Sequence, residues 1–595
     1  VQSQDFLPVT ESIFTEMDLW LLELSTAFEL ELNLVESGEW ISKQRAKQEC
    51  NIDKSDENIL RVTEKAFQID LADHPQISNY FDICVAYYQA STKQIPIAEK
   101  SLLSDCYYQL GISLFRQPNQ LAAIAAFQIA LAIQPERAEA HCNLGAIWAL
   151  REQFPKAISC YQEALAIYPD LVEAHYNLGA VFLRLEQLDF AITHLETAIA
   201  LKPGFAEAHG KLGAVFFQKN RLEEAIAQYQ RAIEINPNIA EVYFNLGVAY
   251  SEQGNVEAAI FAFQQAIAYQ PNFPDARTNL AVSMLASGNY ASGWEEYEWR
   301  WQRKGMELPN WSQPLWDGSS LEGKTILLWA EQGFGDTIQF VRYVPLVKAR
   351  GGRVIVQCPA CLLRLLSTID GIDRIVTEND ELTEQIHCYA PLIGLPRIFA
   401  TTLDTIPTEI PYLVSDRKLV ECSQQVINSG LKSEGYLKVG IVWASSFKGD
   451  PAYLKFQRKK SCPLSLLSEL LALPQIHQIQ WYSLQVGQEA SDIDTLGSDA
   501  LIQNLNHSIR DFADTAALIA HLDLIISVDT AVAHLAGAMG KPVWVMLPFV
   551  ADWRWLLDRQ DSPWYPTMRL FRQKRAGEWQ TVIGEMHMAL RSFRV

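Results

Sequence analysis

The sequence predicts a long all-helical repeat array followed by an α/β half made of two adjacent parallel-sheet units. Three observations predict it. A 34-residue period runs through the middle of the 595-residue chain, and apolar strand-like runs replace it from about residue 324. A proline-containing stretch without strong periodicity, 401–418, then divides those runs into two sets.

Composition sets the outer limits. With 49% hydrophobic and 20% charged residues the chain reads as globular. No uncharged apolar run of about 18 residues appears, so no membrane span is expected. The opening VQSQDFLPVT lacks a basic stretch followed by an apolar core, so no secretory signal is expected and the predicted location is cytoplasmic. The net charge of −21 is uneven: residues 1–317 carry 22 Lys+Arg against 41 Asp+Glu (−19), and residues 318–595 carry 27 against 29 (−2). Phosphate backbones need a basic surface, so nucleic acid is not an expected partner of the N-terminal half. A near-neutral C-terminal half leaves room for a local anion site. The ten cysteines form no framework. Cys358–Cys361, a single C-x-x-C with no second pair or nearby His, reads as buried thiols in a reducing compartment.

Residues 1–103 hold amphipathic stretches such as TEMDLWLLELSTAFELELNLVE without a clear repeat, and are expected to form a divergent helical N-terminal region. Residues 104–317 hold the repeat. Pro135, Pro169, Pro203, Pro237 and Pro271 recur every 34 residues, as do Leu144–Gly145, Leu178–Gly179, Leu212–Gly213 and Leu246–Gly247, and Ala157, Ala191, Ala225 and Ala259. Small residues at fixed positions belong where two helices touch, and proline ends a helix it cannot continue. The pattern resembles the tetratricopeptide family over about six repeats, from Ser104 to about Glu307, with Leu110–Gly111 in the first and Leu280–Ala281 in the last. The last repeat departs from it: Gly293 replaces the alanine, and WEEYEWRWQ (294–302) is a Trp-rich ending suited to docking on another domain.

Stacked repeats of this family form a superhelix with a concave face. The sixth position of successive repeats reads Gln109, Asn143, Asn177, Lys211, Asn245 and Asn279. The O-linked N-acetylglucosamine transferases look similar here, and in them an asparagine ladder grips an extended polypeptide. An amide both donates and accepts, so it can pair with any peptide unit. The resemblance implies an acceptor protein or peptide held by Asn143, Asn177, Asn245 and Asn279, with Lys211 interrupting; the other reading is that Asn simply belongs to the repeat consensus.

In the C-terminal half KTILLWA, RVIVQC, DRIVT and HCYAPL read as strands of a first Rossmann-like unit, 318–415. KVGIVWA, QIQWYSLQ, LDLIISVD, KPVWVMLP and TMRLFRQ belong to a second, 416–595. Apolar strands alternating with helices imply parallel sheets covered on both faces, and two such units create a cleft at their strand ends. The layout resembles a two-domain glycosyltransferase of the GT-B type, closest to the heptosyltransferase family, from Lys324 onward. That family is known for transfer from ADP-heptose.

Three motifs carry this resemblance. EQGFGDTIQF (331–340) begins like the dinucleotide fingerprint G-x-G-x-x-G but has Ile338 at the third glycine position. In the similar enzymes this loop is G-x-G-D. The resemblance implies that Gly333 and Gly335 let the backbone approach the donor, and that Asp336 is the general base taking the acceptor proton. Asp336 can equally cap a helix beginning near Thr337, and Glu331 is a second candidate base. SVDTAVAHLAGAMGKPVW (527–544) resembles the family's donor-binding strand–helix turn. Carried over, Asp529 binds sugar or ribose hydroxyls, Thr530 and Ala531 contact phosphate at a helix N-terminus, and His534 lies close by. Otherwise Asp529 is an N-cap and His534 a satisfied core residue. In VWASSFKGDPAYLKFQRKKSCPL (442–464) Ser446 and Lys460 fall where the family places contacts to the diphosphate, Lys460 neutralising the leaving group. Gln457 and Lys460 depart from the usual Asp and Arg there, and the basic cluster can alternatively be a solvated loop. Trp553 and Trp564 either stack on a base or fill the core.

The predicted protein is therefore a metal-independent, inverting glycosyltransferase without a cofactor. It uses a nucleotide-sugar, with UDP, GDP and ADP donors all open, on a protein acceptor recruited by the repeats. A transferase acting on a glycan or lipid-linked sugar and an inactive scaffold are the alternatives.

Overall fold

A computed structural model describes residues 97–593 apart from 117–119, 383, 430–434, 446–456, 472–477 and 497–501. The expected helical region 1–103 lies outside the described residues as far as residue 96. The chain divides into two compact units, up to Asn238 and from Ile239 onward.

The first unit is a series of helix pairs: α1 (Ile97–Arg116) with α2 (Gln120–Ile133), α3 (Ala138–Leu150) with α4 (Phe154–Ile167), α5 (Val172–Arg184) with α6 (Leu188–Leu201), and α7 (Ala206–Gln218) with α8 (Leu222–Ile235). The Leu–Gly steps explain the pairing. A Cβ on Gly145 would stand 2.7 Å from the Tyr161 ring, and one on Gly179 2.5 Å from Leu195, so only glycine lets the paired helices meet. Ala157, Ala191 and Ala225 are fully buried on the opposing helices. The turns of the α3–α4, α5–α6 and α7–α8 pairs close through a left-handed residue at the same 34-residue step, Glu152, Glu186 and Asn220 (φ 59°, 58° and 59°). The next amide returns to the first helix, for example Gln187 N to Phe182 O at 2.9 Å. This is the hydrogen-bonded C-terminal closure that favours glycine.

The second unit opens with two more pairs of the same construction, α9 (Ala240–Glu252) with α10 (Val256–Tyr269) and α11 (Pro274–Ala286) with α12 (Tyr290–Tyr297). Here the left-handed positions are Gly254 and Gly288. Two parallel sheets follow. The first has the order β3-β2-β1-β4, from β1 (Thr325–Trp329), β2 (Arg353–Gln357), β3 (Arg374–Val376) and β4 (Cys388–Pro391). The second has the order β10-β9-β8-β5-β6-β7, from β5 (Leu437–Val442), β6 (Ile479–Ser483), β7 (Ile502–Asn504), β8 (Leu524–Val528), β9 (Val543–Leu547) and β10 (Met568–Arg572). Every strand pairing in both is parallel. β6, β8 and β9 are buried at every residue, which is why they read as unbroken apolar runs. β7 is not among the expected strands, because two of its three residues, Gln503 and Asn504, are polar and leave no apolar run.

Helices α13 (Phe334–Phe340), α14 (Arg417–Ser429), α15 (Phe512–Ala520), α16 (Ala531–Ala538) and α17 (Trp579–Ser592) accompany the sheets. The Trp-rich closing helix packs into this α/β body. Trp294 meets Trp553 edge-on at 5.2 Å, and Tyr290 stacks on Trp564, whose Nε1 donates to the Tyr290 hydroxyl at 3.0 Å. Trp553 and Trp564 are thus core residues. Cys358 is buried, Cys361 is half-buried, and both thiols are free, their pKa values pushed up by burial. Among the described residues no helix is long and apolar enough to cross a membrane.

Candidate active site where the two sheets meet

Two strand-to-helix turns come together. β1 leads into α13, whose N-cap is Gly333 and whose third residue is Asp336. β8 leads into α16, whose N-cap is Thr530 rather than Asp529. They approach so closely at Gly335 that a Cβ there would lie 3.0 Å from His534 Cδ2 and 3.6 Å from Ala531 Cα. Glycine is therefore needed at 335 for contact with the other sheet's helix, which accounts for the second half of the G-x-G.

Asp336 uses both carboxylate oxygens. Oδ2 accepts the Gly333 amide at 2.9 Å, which is the capping role, and Oδ1 accepts from Arg554 Nη2. Arg554 also donates to Gln339 Oε1 at 2.7 Å and to Asp552 Oδ1 at 2.8 Å, and its guanidinium lies 4.3 Å over the Trp553 ring. Burial lifts the Asp336 carboxyl above the usual range, with Arg554 opposing. Burial also acts to raise Asp552, but the attraction of Arg554 and Lys460 outweighs it and holds the carboxyl below its usual range. Neither Arg554 nor Asp552 stood out in the sequence; the only local signal was a D-x-R inside an aromatic run.

Lys460 donates to Asp529 Oδ2 at 2.6 Å, with both side chains largely buried. Burial acts to lower its pKa, and the attraction of Asp529 and Asp552 more than offsets this, so it is raised and Lys460 is a cation. The Thr530 hydroxyl pairs with the Ser527 hydroxyl at 2.9 Å. His534 is buried, has Nδ1 3.0 Å from the Tyr565 hydroxyl and stacks on Trp555; burial lowers its pKa to about 3, so it is neutral. Gly333, Gly335, Asp336, Lys460, Asp529, Thr530, Ala531 and His534 are thus neighbours in one charged cluster, while Ser446 lies outside the described residues.

Two expectations are corrected. Glu331 accepts the Leu392 and Ile393 amides at 3.1 and 3.2 Å, with Arg300 3.8 Å away. It ties the end of β1 to the turn after β4, and as a buried acceptor it is not placed to take a substrate proton. The asparagine ladder is not uniform. Asn143 and Asn177 are fully buried, donating to the Tyr108 hydroxyl (3.3 Å) and to Cys142 Sγ (3.8 Å) of the preceding pair. An amide without exposed surface cannot hold a peptide. Asn245 and Asn279 are half-buried, and Asn279 donates to Asp275 O at 2.8 Å.

Comparison with known proteins places these features. TPR-repeat profiles match residues 149–186 and 215–254, and tetratricopeptide-repeat profiles match 172–205 and 240–273. The glycosyltransferase family 9 (heptosyltransferase) profile matches 510–545, the stretch from α15 through α16 that holds Asp529, Thr530 and His534. Protein FlbA of Caulobacter vibrioides is 27% identical over 331 residues, covering 51% of this chain and 52% of its own, so the chain spans about half the length of that curated relative. Among solved structures, YrrB, a TPR protein described with an unusual peptide-binding site, is 27% identical over 29% of this chain and 88% of its own, with a TM-score of 0.25. PilF of Pseudomonas aeruginosa is 19% identical over 35% and 95%, with a TM-score of 0.33. The chain carries tetratricopeptide repeats and a C-terminal segment that matches the glycosyltransferase family 9 profile. That supports a glycosyltransferase equipped with protein-interaction repeats.

Proposed function

We propose that this repeat-bearing glycosyltransferase moves a sugar from a nucleotide-sugar to a protein acceptor, with inversion and without a metal. The observation that carries the reading is the meeting of Asp336, from the first sheet, with Lys460 and the α16 N-terminus of the second. A nucleotide diphosphate seated against Thr530 and Ala531 benefits from the helix dipole and from Lys460, and exposed Gly333 leaves room for the sugar, whereas the space beside Gly335 is filled by His534 and Ala531. Asp529 then turns from Lys460 to a sugar or ribose hydroxyl, and His534, neutral, shapes the wall between the two helices.

Asp336 takes the proton of the acceptor hydroxyl as its oxygen attacks the anomeric carbon. The bond from that carbon to the phosphate oxygen breaks on the opposite face, so the configuration inverts. The electron pair leaves with the diphosphate, whose growing charge Lys460 balances. An elevated carboxyl pKa suits Asp336 to this task, and Arg554 orients it. The acceptor reaches the cleft from the repeats, with Asn245 and Asn279 as the remaining amide contacts.

A thermal-shift screen against UDP, GDP, ADP and CMP tests the reading, each shift being measured against the same protein without ligand. A nucleotide at a few hundred times its Kd stabilises the fold by roughly 3 kcal/mol. One nucleotide should raise the melting temperature of the wild type, and Lys460→Ala should lose the effect. No shift with any nucleotide sinks the donor assignment and favours a scaffold, and an undiminished shift in Lys460→Ala removes Lys460 from donor binding.

A further inference from the structure

Glu252, the last residue of α9, accepts from Lys459 Nζ at 2.5 Å. Two residues on, Gly254 is left-handed (φ 81°), and a Cβ there would stand 3.2 Å from the Phe549 ring. This one turn of the fifth helix pair therefore meets both segments that supply the second sheet's charges. One is 457–460, ending in Lys460; the other is 549–554, with Asp552 and Arg554. Consecutive residues of a helical turn point about 100° apart. Lys460 reaches to Asp529 while Lys459 reaches to Glu252, so the segment is held by two carboxylates on different faces of its turn. An exposed ion pair adds little stability, so what matters here is where it stands.

We propose that the α9–α10 turn is a brace for the site, with Glu252 a positioning residue for Lys460 that acts through Lys459. The functional weight of this brace rests on the donor role proposed for Lys460.

Hydrogen exchange of the ligand-free full chain tests it. The reporters are the Ser461 amide, which donates to Arg458 O at 3.2 Å, and the Cys462 amide, which donates to Trp443 O at 2.8 Å. Glu252→Lys should speed exchange across 459–462 about two- to fivefold, the range an exposed pair supplies. The double reversal Glu252→Lys/Lys459→Glu, which has the wild-type net charge, should restore it. Titration with inorganic pyrophosphate should follow the same order: a weaker Kd in the single variant and recovery in the double, which loss of packing alone would not produce. Unchanged exchange in Glu252→Lys, or no recovery in the double, overturns the brace. Lys460→Ala separates the two readings. Pyrophosphate binding that survives it removes the donor role, and exchange still decides the brace. Binding that Lys460→Ala abolishes and Glu252→Lys leaves untouched, with exchange unchanged, removes the brace alone.

Discussion

Asp336 and Glu331 lie five residues apart, but the Glu331 side chain is 3% exposed and that of Asp336 23%, and their carboxylates are spent differently. Asp336 is shared between a backbone amide and a guanidinium that belongs to the other sheet's side of the cleft. Asp336→Asn keeps the shape and one of the two accepted hydrogen bonds but removes the base, so transfer should fall by about 10²–10⁴ while the nucleotide-induced thermal shift persists. Loss of that shift together with activity would place Asp336 in binding instead. Glu331 makes a pH prediction. Burial raises its carboxyl to about 7, with Arg300 opposing, against an ordinary value near 4.5. The folded state thus favours the protonated form: its contribution to stability is full below about pH 4.5 and is lost as pH rises through about 7. Relative to Glu331→Gln, which stays neutral, the wild type should lose on the order of 3 kcal/mol across that window. Parallel pH–stability curves for the two proteins would contradict it.

At the scale of elements, close approach and turn closure decide. Gly335→Ala puts a methyl against His534, which Tyr565 and Trp555 hold in place, so α13 and α16 must part slightly. The expected cost is about 1–2 kcal/mol, readable in the urea midpoint. Glu186 closes its helix pair in a conformation that costs an L-residue roughly 1–2 kcal/mol, and Gly254 and Gly288 occupy the equivalent positions in later pairs. Glu186→Gly should stabilise by about 0.5–1 kcal/mol after the extra unfolded-state freedom of glycine is subtracted. A lower denaturation midpoint would show that the turn is not strained. Among the described residues nine of the ten strands were legible, because parallel strands covered on both faces write themselves as apolar runs. The left-handed turn positions were not, since Glu152 and Glu186 follow no composition rule for turns.

For the whole molecule, the fifth and sixth helix pairs belong to the same compact unit as the sheets. Trp294 and Tyr290 are built into its core beside Trp553, the neighbour of Arg554. Trp294→Ala should cost about 3–5 kcal/mol. By hydrogen exchange it should loosen α11, α12 and β1–β4 together, because they share one apolar cluster. Deprotection confined to α11 and α12 would mean that the last repeat is an independent element.

By itself the sequence determined the repeat period, its join to two parallel α/β units, and the small set of residues worth considering for chemistry. Periodicity records which face of each element is buried, and that is a local property. Only the tertiary structure decided what those residues touch. Arg554 reaches Asp336 across 218 residues of chain, and Lys460 reaches Asp529 across 69. Asn143 and Asn177, identical by position to an exposed ladder, are buried against the preceding helix pair. Charge pairing and exposure are settled by how loops return segments distant in the chain to one place, and residue spacing carries no record of that.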